Sequence, residues 1–183
     1  FSLKFPQVIT HVKMLDDCQE ETAVFLERAS LLKDKLRVLL LQFPYSFKVE
    51  KIPLLNDFLQ SLPRTHRYAV EVRNRKLLND NLYSVLRDKN VVLAWVDTPF
   101  MPKIDEVTSD FIYIRWEGDR RKVKGTFSIR EVEKVESIRR WAEKIKLLLK
   151  KQTEVFGYFS KYYSGYPPSD INDLLNILSE KNK

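Results

Sequence analysis

Six short runs of this chain read as buried β-strand: Ser2–Phe5, Arg37–Phe43, Tyr68–Arg73, Val91–Val96, Phe111–Glu117 and Val155–Ser160. Polar residues gather near the ends of most of them: Lys4, Gln42, Glu71 and Arg73, Asp97, then Arg115 and Glu117. Helical stretches lie between most of the runs, and strands that alternate with helices form parallel sheets. In such folds the working site lies at the C-terminal ends of the strands. The expected fold class is therefore α/β, an irregular (β/α)8 TIM-type barrel of which this chain supplies about six βα units. The spacing is close to the ~31 residues per unit of a barrel of ordinary length.

The helices can be placed by periodicity and capping. Asp17, followed three residues later by Glu20, reads as a capping box that opens a helix through about Lys35. Leu55, Phe58, Leu59 and Leu62 set a helical stripe within Ile52–Leu62, and a third helix falls around Leu77–Leu86. Only a short connection joins the fourth and fifth strands. Val135, Ile138, Trp141, Ile145, Leu148 and Leu149 mark the buried face of a long helix, and Ser169 is expected to cap a last one through about Leu178. A single domain over residues 1–183 is expected. The chain begins without Met and directly in a strand, so the expectation is that the N-terminal strands of the barrel are absent from it.

Composition narrows the classes. With 44% hydrophobic and 31% charged residues, the chain has enough apolar content for a real core and is not a disordered segment. No apolar run approaches the roughly 20 residues of a membrane helix, and Phe1–Pro6 lacks the pattern of a signal peptide, so a cytoplasmic, membrane-free protein is expected. One cysteine, Cys18, excludes an internal disulfide and a cysteine-based zinc cluster. Four glycines give no phosphate loop and no dinucleotide fingerprint, and two separated histidines give no zinc-protease helix. The net charge of +7 is uneven: Arg120–Lys151 holds 12 Lys or Arg against 4 Asp or Glu, a surplus of +8, so everything else sums to −1. Such a run is usually a solvated helix face, though it also suits an anionic partner.

Period two sorts the strand residues into faces. Ala69, Glu71 and Arg73 share one face, and Tyr68, Val70 and Val72 share the other. By the same rule Phe111, Tyr113, Arg115 and Glu117 point inward, while Ile112, Ile114 and Trp116 meet the helices. Ser2 pairs in phase with Lys4, Leu40 with Gln42, and Trp95 with Asp97, which puts all of these in the expected inward set.

Several segments then stand out together: FPQVITH at Phe5–His11, LLLQFP at Leu39–Pro44, AVEVRN at Ala69–Asn74, DTP at Asp97–Pro99, YIRWEG at Tyr113–Gly118 and YFSKYYSG at Tyr158–Gly165. In this order and over essentially the whole chain, they resemble the YecE-like family, domain of unknown function 72. The resemblance implies an irregular TIM-type barrel with no established activity. It also implies an absent N-terminal stretch, which in relatives contributes to the same pocket. Two positions depart from the pattern. Glu117 stands where many members have His, and Phe159, Ser160 and Lys161 stand where many have a Phe-Asn-Asn run.

Three chemistries fit the expected pocket. In the first, Glu71, Asp97 and Glu117 act as catalytic carboxylates, by proton transfer or by holding a divalent cation, while Lys4, Arg73 and Arg115 clamp the anion of a phosphate-bearing substrate. That is a phosphodiester or phosphate-ester hydrolase. His11, Gln42, Tyr158 and Lys161 complete its substrate-binding set. In the second, the basic loop and the aromatic group Tyr158, Phe159, Tyr162, Tyr163 and Tyr166 serve a non-catalytic binder of nucleotide or nucleic acid. The third is a glycosidase with paired carboxylates. A charge-balanced network of three acids and three bases needs none of these to persist. Substrate, metal dependence and oligomeric state are not encoded in any motif.

Overall fold

A computed structural model describes residues 1–125 and 128–180. The chain divides into two compact units, Phe1–Ala94 with Asp105–Asp110, and Trp95–Ile104 with the residues from Phe111 onward. Each unit carries its own parallel sheet.

In the first unit, β1 (Ser2–Lys4), β2 (Val38–Gln42), β3 (Tyr68–Glu71) and β4 (Val92–Leu93) lie side by side in chain order. The helices α1 (Gln19–Ser30), α2 (Ile52–Ser61) and α3 (Asp80–Asp88) connect them, as parallel strands require a crossover. All five residues of β2 are buried, the usual state of an inner parallel strand covered on both faces. Phe5, just past β1, sets the helix side of this sheet: its ring lies 4.6 Å from Phe25 of α1 and 6.1 Å from Phe58 of α2. α2 buries Ile52, Leu55, Phe58 and Leu59 on one stripe. Asn79 caps α3 by accepting from Leu82 N at 3.1 Å. The Leu93 amide of β4 finds a side chain, donating to Thr108 Oγ1 at 2.8 Å, while that hydroxyl donates to Val91 O at 2.8 Å. No backbone donor is wasted there.

The second unit pairs β5 (Trp95–Asp97), β6 (Phe111–Trp116) and β7 (Glu154–Phe159), all parallel, with α4 (Val135–Lys150) between β6 and β7 and α5 (Pro167–Ser179) after β7. Trp95, Ile112, Ile114 and Trp116 pack against Ile138, Trp141, Ala142 and Ile145 of α4 and Leu174 of α5. The expected stripe of α4 is therefore present, except that Leu149 is 50% exposed. Trp116 stacks on Phe159, with ring centroids 4.1 Å apart and planes 10° apart, and meets Trp141 edge-on at 5.6 Å.

Three expectations need correction, and the fold class is met in its coarser part, α/β with parallel sheets. The fourth strand, read as continuous over Val91–Val96, breaks at Ala94 into β4 and β5, which belong to different sheets. No closed barrel is seen among the described residues, only an α/β fold with parallel sheets of four and three strands. The capping box does not form: Asp17 sits at φ 41°, Cys18 occupies the N-cap, and Glu20 is already inside α1, which ends at Ser30 rather than Lys35. Ser169 is not a cap either. Pro167 and Pro168 fill the first helical positions of α5, where a missing amide costs nothing, and Ser169 Oγ instead receives Arg130 Nη2 at 2.9 Å. The π-helical turn at Val8–Val12 has no sequence signal of the kind used above.

Gly157 of β7 faces the Trp116 ring, and a Cβ there would come within 2.6 Å of it. Gly157→Ala should destabilise the protein by about 1–3 kcal/mol, as overpacking does. Thermal melts followed by circular dichroism should show the midpoint falling by roughly 2–4 °C per kcal/mol. An unchanged midpoint would mean the Trp116 ring is not held there.

Candidate functional site

The first unit gathers five of the expected residues at the C-terminal ends of its strands. Register explains it. Lys4 lies beside Leu40, Leu40 beside Ala69 and Gln42 beside Glu71, so Lys4, Gln42 and Glu71 share the face opposite Phe5 and Tyr68. In parallel strands, residues side by side point the same way. Lys4 Nζ donates to Gln42 Oε1 at 3.4 Å, and Gln42 Nε2 donates to Glu71 Oε1 at 2.8 Å. Arg73 Nε stands 4.0 Å from the same Glu71 oxygen. Only one orientation of the Gln42 amide serves both neighbours, carbonyl to the ammonium and amino group to the carboxylate. Glu71 is 2% and Gln42 4% exposed, whereas the Arg73 side chain is about half exposed, so the charge is anchored inside and presented outside.

His11 closes the group on the π-helical turn, with Thr10 Oγ1 2.9 Å from its Nδ1. Partial burial first, then the charges of Arg73 and Lys4, lower its pKa below the usual 6.5. The imidazole is thus neutral at pH 7. A neutral imidazole beside two cations can accept a proton or a hydrogen bond from a ligand.

In the second unit the expected residues separate onto two faces. Val96, Arg115 and Tyr158 lie side by side across β5, β6 and β7, and Glu117 follows in phase and pairs with Arg115 through Nη2 and Oε1. The exposed Tyr158 ring lies 5.1 Å from Tyr113 on the same face. Asp97 belongs to the other face. It lies beside Trp116 and Phe159, so the expectation that Asp97 and Trp95 share the inward face with Arg115 is corrected by the register. Asp97 Oδ2 accepts from Trp141 Nε1 at 2.7 Å, Ser137 Oγ at 3.2 Å and, weakly, Tyr163 OH at 3.4 Å.

Lys161 lies with its ammonium 5.2 Å from the centre of the Tyr162 ring, and Arg120 stands 5.1 Å from that same centre. Gly118 makes this approach feasible. At φ 66° it tolerates a backbone turn in which a Cβ would strike Tyr162 O at 2.3 Å, so the turn after β6 touches the turn after β7. The partners of Asp97 were not singled out beforehand as polar. Ser137 and Trp141, four apart on α4, carried a signal: a buried indole N–H needs an acceptor. Among the described residues no group of three or more His, Cys, Asp or Glu is placed to hold a metal ion, and no helix is long and apolar enough to cross a membrane.

The fold and site define an α/β protein with parallel sheets and charged groups at its strand ends. A family model described as "Protein of unknown function DUF72" matches residues 1–183, and the chain belongs to that family. A DUF72 family protein from Thermotoga maritima is similar in structure, with a TM-score of 0.81 and 24% identity over 98% of this chain and 74% of that one. One from Enterococcus faecalis V583 gives a TM-score of 0.63 and 19% identity over 94% and 70%. At such identities the likeness speaks for the fold alone. No curated protein matches.

Replacing Gln42 by Leu keeps the size but removes the hydrogen bond to buried Glu71. A loss of about 1.5–3 kcal/mol is expected in urea denaturation, the usual value for a bond to a charged group. Arg73→Gln removes one of the cations acting on His11. Its imidazole should then titrate at higher pH by NMR, and an unmoved titration would show the cation does not reach it.

Proposed function

We propose that the strand ends of the first unit bind a phosphate-bearing substrate, a nucleotide or nucleic acid, as a step toward phosphate-ester hydrolysis. The reading rests on one observation: Lys4, Gln42, Glu71 and Arg73 form a continuous run of polar contacts with two cations flanking a single buried carboxylate. Gln42 fixes Glu71, Glu71 steadies Arg73, and the exposed guanidinium can meet two phosphate oxygens at once. Lys4 adds a second point charge. His11, its pKa lowered first by partial burial and then by Arg73 and Lys4, and Glu71 are the groups able to take or return a proton.

The experiment measures two things on one set of variants. Binding of a fluorescent mixed-sequence single-stranded oligonucleotide should weaken by about tenfold or more in Lys4→Gln/Arg73→Gln, since each charge-assisted contact is worth about 1.5–3 kcal/mol. Release of phosphate or shorter fragments should vanish in Glu71→Gln while its binding persists. Binding that ignores the double change sinks the site, and turnover that survives Glu71→Gln sinks the role of that carboxylate.

A further inference from the structure

A different cleft, in the second unit, collects four cations that make no ion pair with the carboxylates beside them. It has a volume of about 660 Å³ and opens between the end of β5, the turn after β6 and the start of α4. Lys103, Lys122, Lys134 and Arg140 line it. So do four acids, which would suggest a neutral surface until their partners are traced. Asp97 is taken by Trp141, Ser137 and Tyr163. Asp119 receives the Arg121 guanidinium on both oxygens, at 2.9 and 2.8 Å, and that pairing holds its carboxyl down to about 2. Glu133 accepts the backbone amides of Lys134 and Val135 at 2.7 and 2.8 Å, and Glu136 pairs with Arg139 at 2.7 Å. Every lining carboxylate is therefore engaged by a group other than the four lining cations.

Among the described residues, none of those cations forms an ion pair. Lys122 donates its backbone amide to Asp119 O at 2.9 Å while its ammonium acts on the Asp119 carboxylate through space, and Lys134 lies 4.6 Å from the centre of the Tyr163 ring. The amides that open α4 take no part, since Glu133 already fills them. Arg121 and Arg139 cancel two of the four lining carboxylates, while Asp97 and Glu133 keep their charge because only neutral groups donate to them. The four lining cations therefore leave a surplus of two positive charges, and a concave surface focuses such a field and concentrates counter-ions. The volume falls within the ~300–1,000 Å³ of small-molecule sites, which favours a compact ligand over a polymer.

We propose that this cleft binds a small molecule bearing two or more phosphate groups, held by Lys103, Lys122, Lys134 and Arg140. The site shares no residue with the first-unit cluster and stands or falls apart from it.

Isothermal titration calorimetry with inorganic pyrophosphate and tripolyphosphate tests it. Tripolyphosphate should bind more tightly than pyrophosphate, and Lys103→Gln/Lys134→Gln/Arg140→Gln should lose at least tenfold in affinity with a shallower dependence on salt. Arg140→Gln alone should lose severalfold. Lys150→Gln, on the same helix but outside the cleft lining, should bind like the parent. Thermal midpoints of all variants confirm that the fold is kept. The proposal is overturned by no heat at millimolar probe, by parent-like binding in the triple variant, or by an equal loss in Lys150→Gln.

Discussion

In-register parallel pairing is the constraint from which the rest of this structure follows. It makes residues on neighbouring strands share a face, so a single polar position repeated strand after strand becomes a cluster. Lys4 stands level with Leu40 and Ala69 on one face of the first sheet, and Gln42 and Glu71 follow one step further along it. The opposite face is left to Phe5 and Tyr68, and through them to the helices. Burial of Glu71 would be costly in an apolar setting; the Gln42 amide and the nearby Arg73 offset that cost and tie the carboxylate to one orientation.

Strand residues were legible because their signal is local. Alternation in Tyr68–Arg73 and Phe111–Glu117 separated Glu71 and Arg115 from Val70 and Ile114, and the structure keeps them separated. The stripe of α4 was legible for the same reason: Ile138, Trp141 and Ile145 recur at helical spacing and are buried. Asp97 was misplaced because alternation gives relative phase but not which phase faces the helices. That choice is made by the neighbours, and Asp97 pairs beside Trp116, not Arg115. The break at Ala94 was equally hidden, since Val91–Val96 is apolar throughout and nothing in it marks a change of partner strand.

Capping was the least dependable inference. Asp17 and Glu20 have the right spacing, but Asp17 adopts a left-handed backbone and Lys13 reaches past it to Glu21 at 2.6 Å, so the helix starts one residue later without a side-chain cap. At the other end of the chain, two prolines pre-set the first turn of α5 and free Ser169 for Arg130. The basic segment was read correctly as charge, but its meaning depends on partners that only three dimensions supply. Arg121 and Arg139 are spoken for by Asp119 and Glu136, while among the described residues Lys122 and Arg140, beside them in sequence, form no ion pair.

The absence of a side chain at Gly157 leaves a hollow into which the Trp116 indole fits flat against Phe159. Positions 116, 157 and 159 therefore behave as one volume shared across two strands. A bulkier residue at 157 is compatible with this sheet only when position 116 shrinks in step, so these three sites can change together far more readily than one at a time.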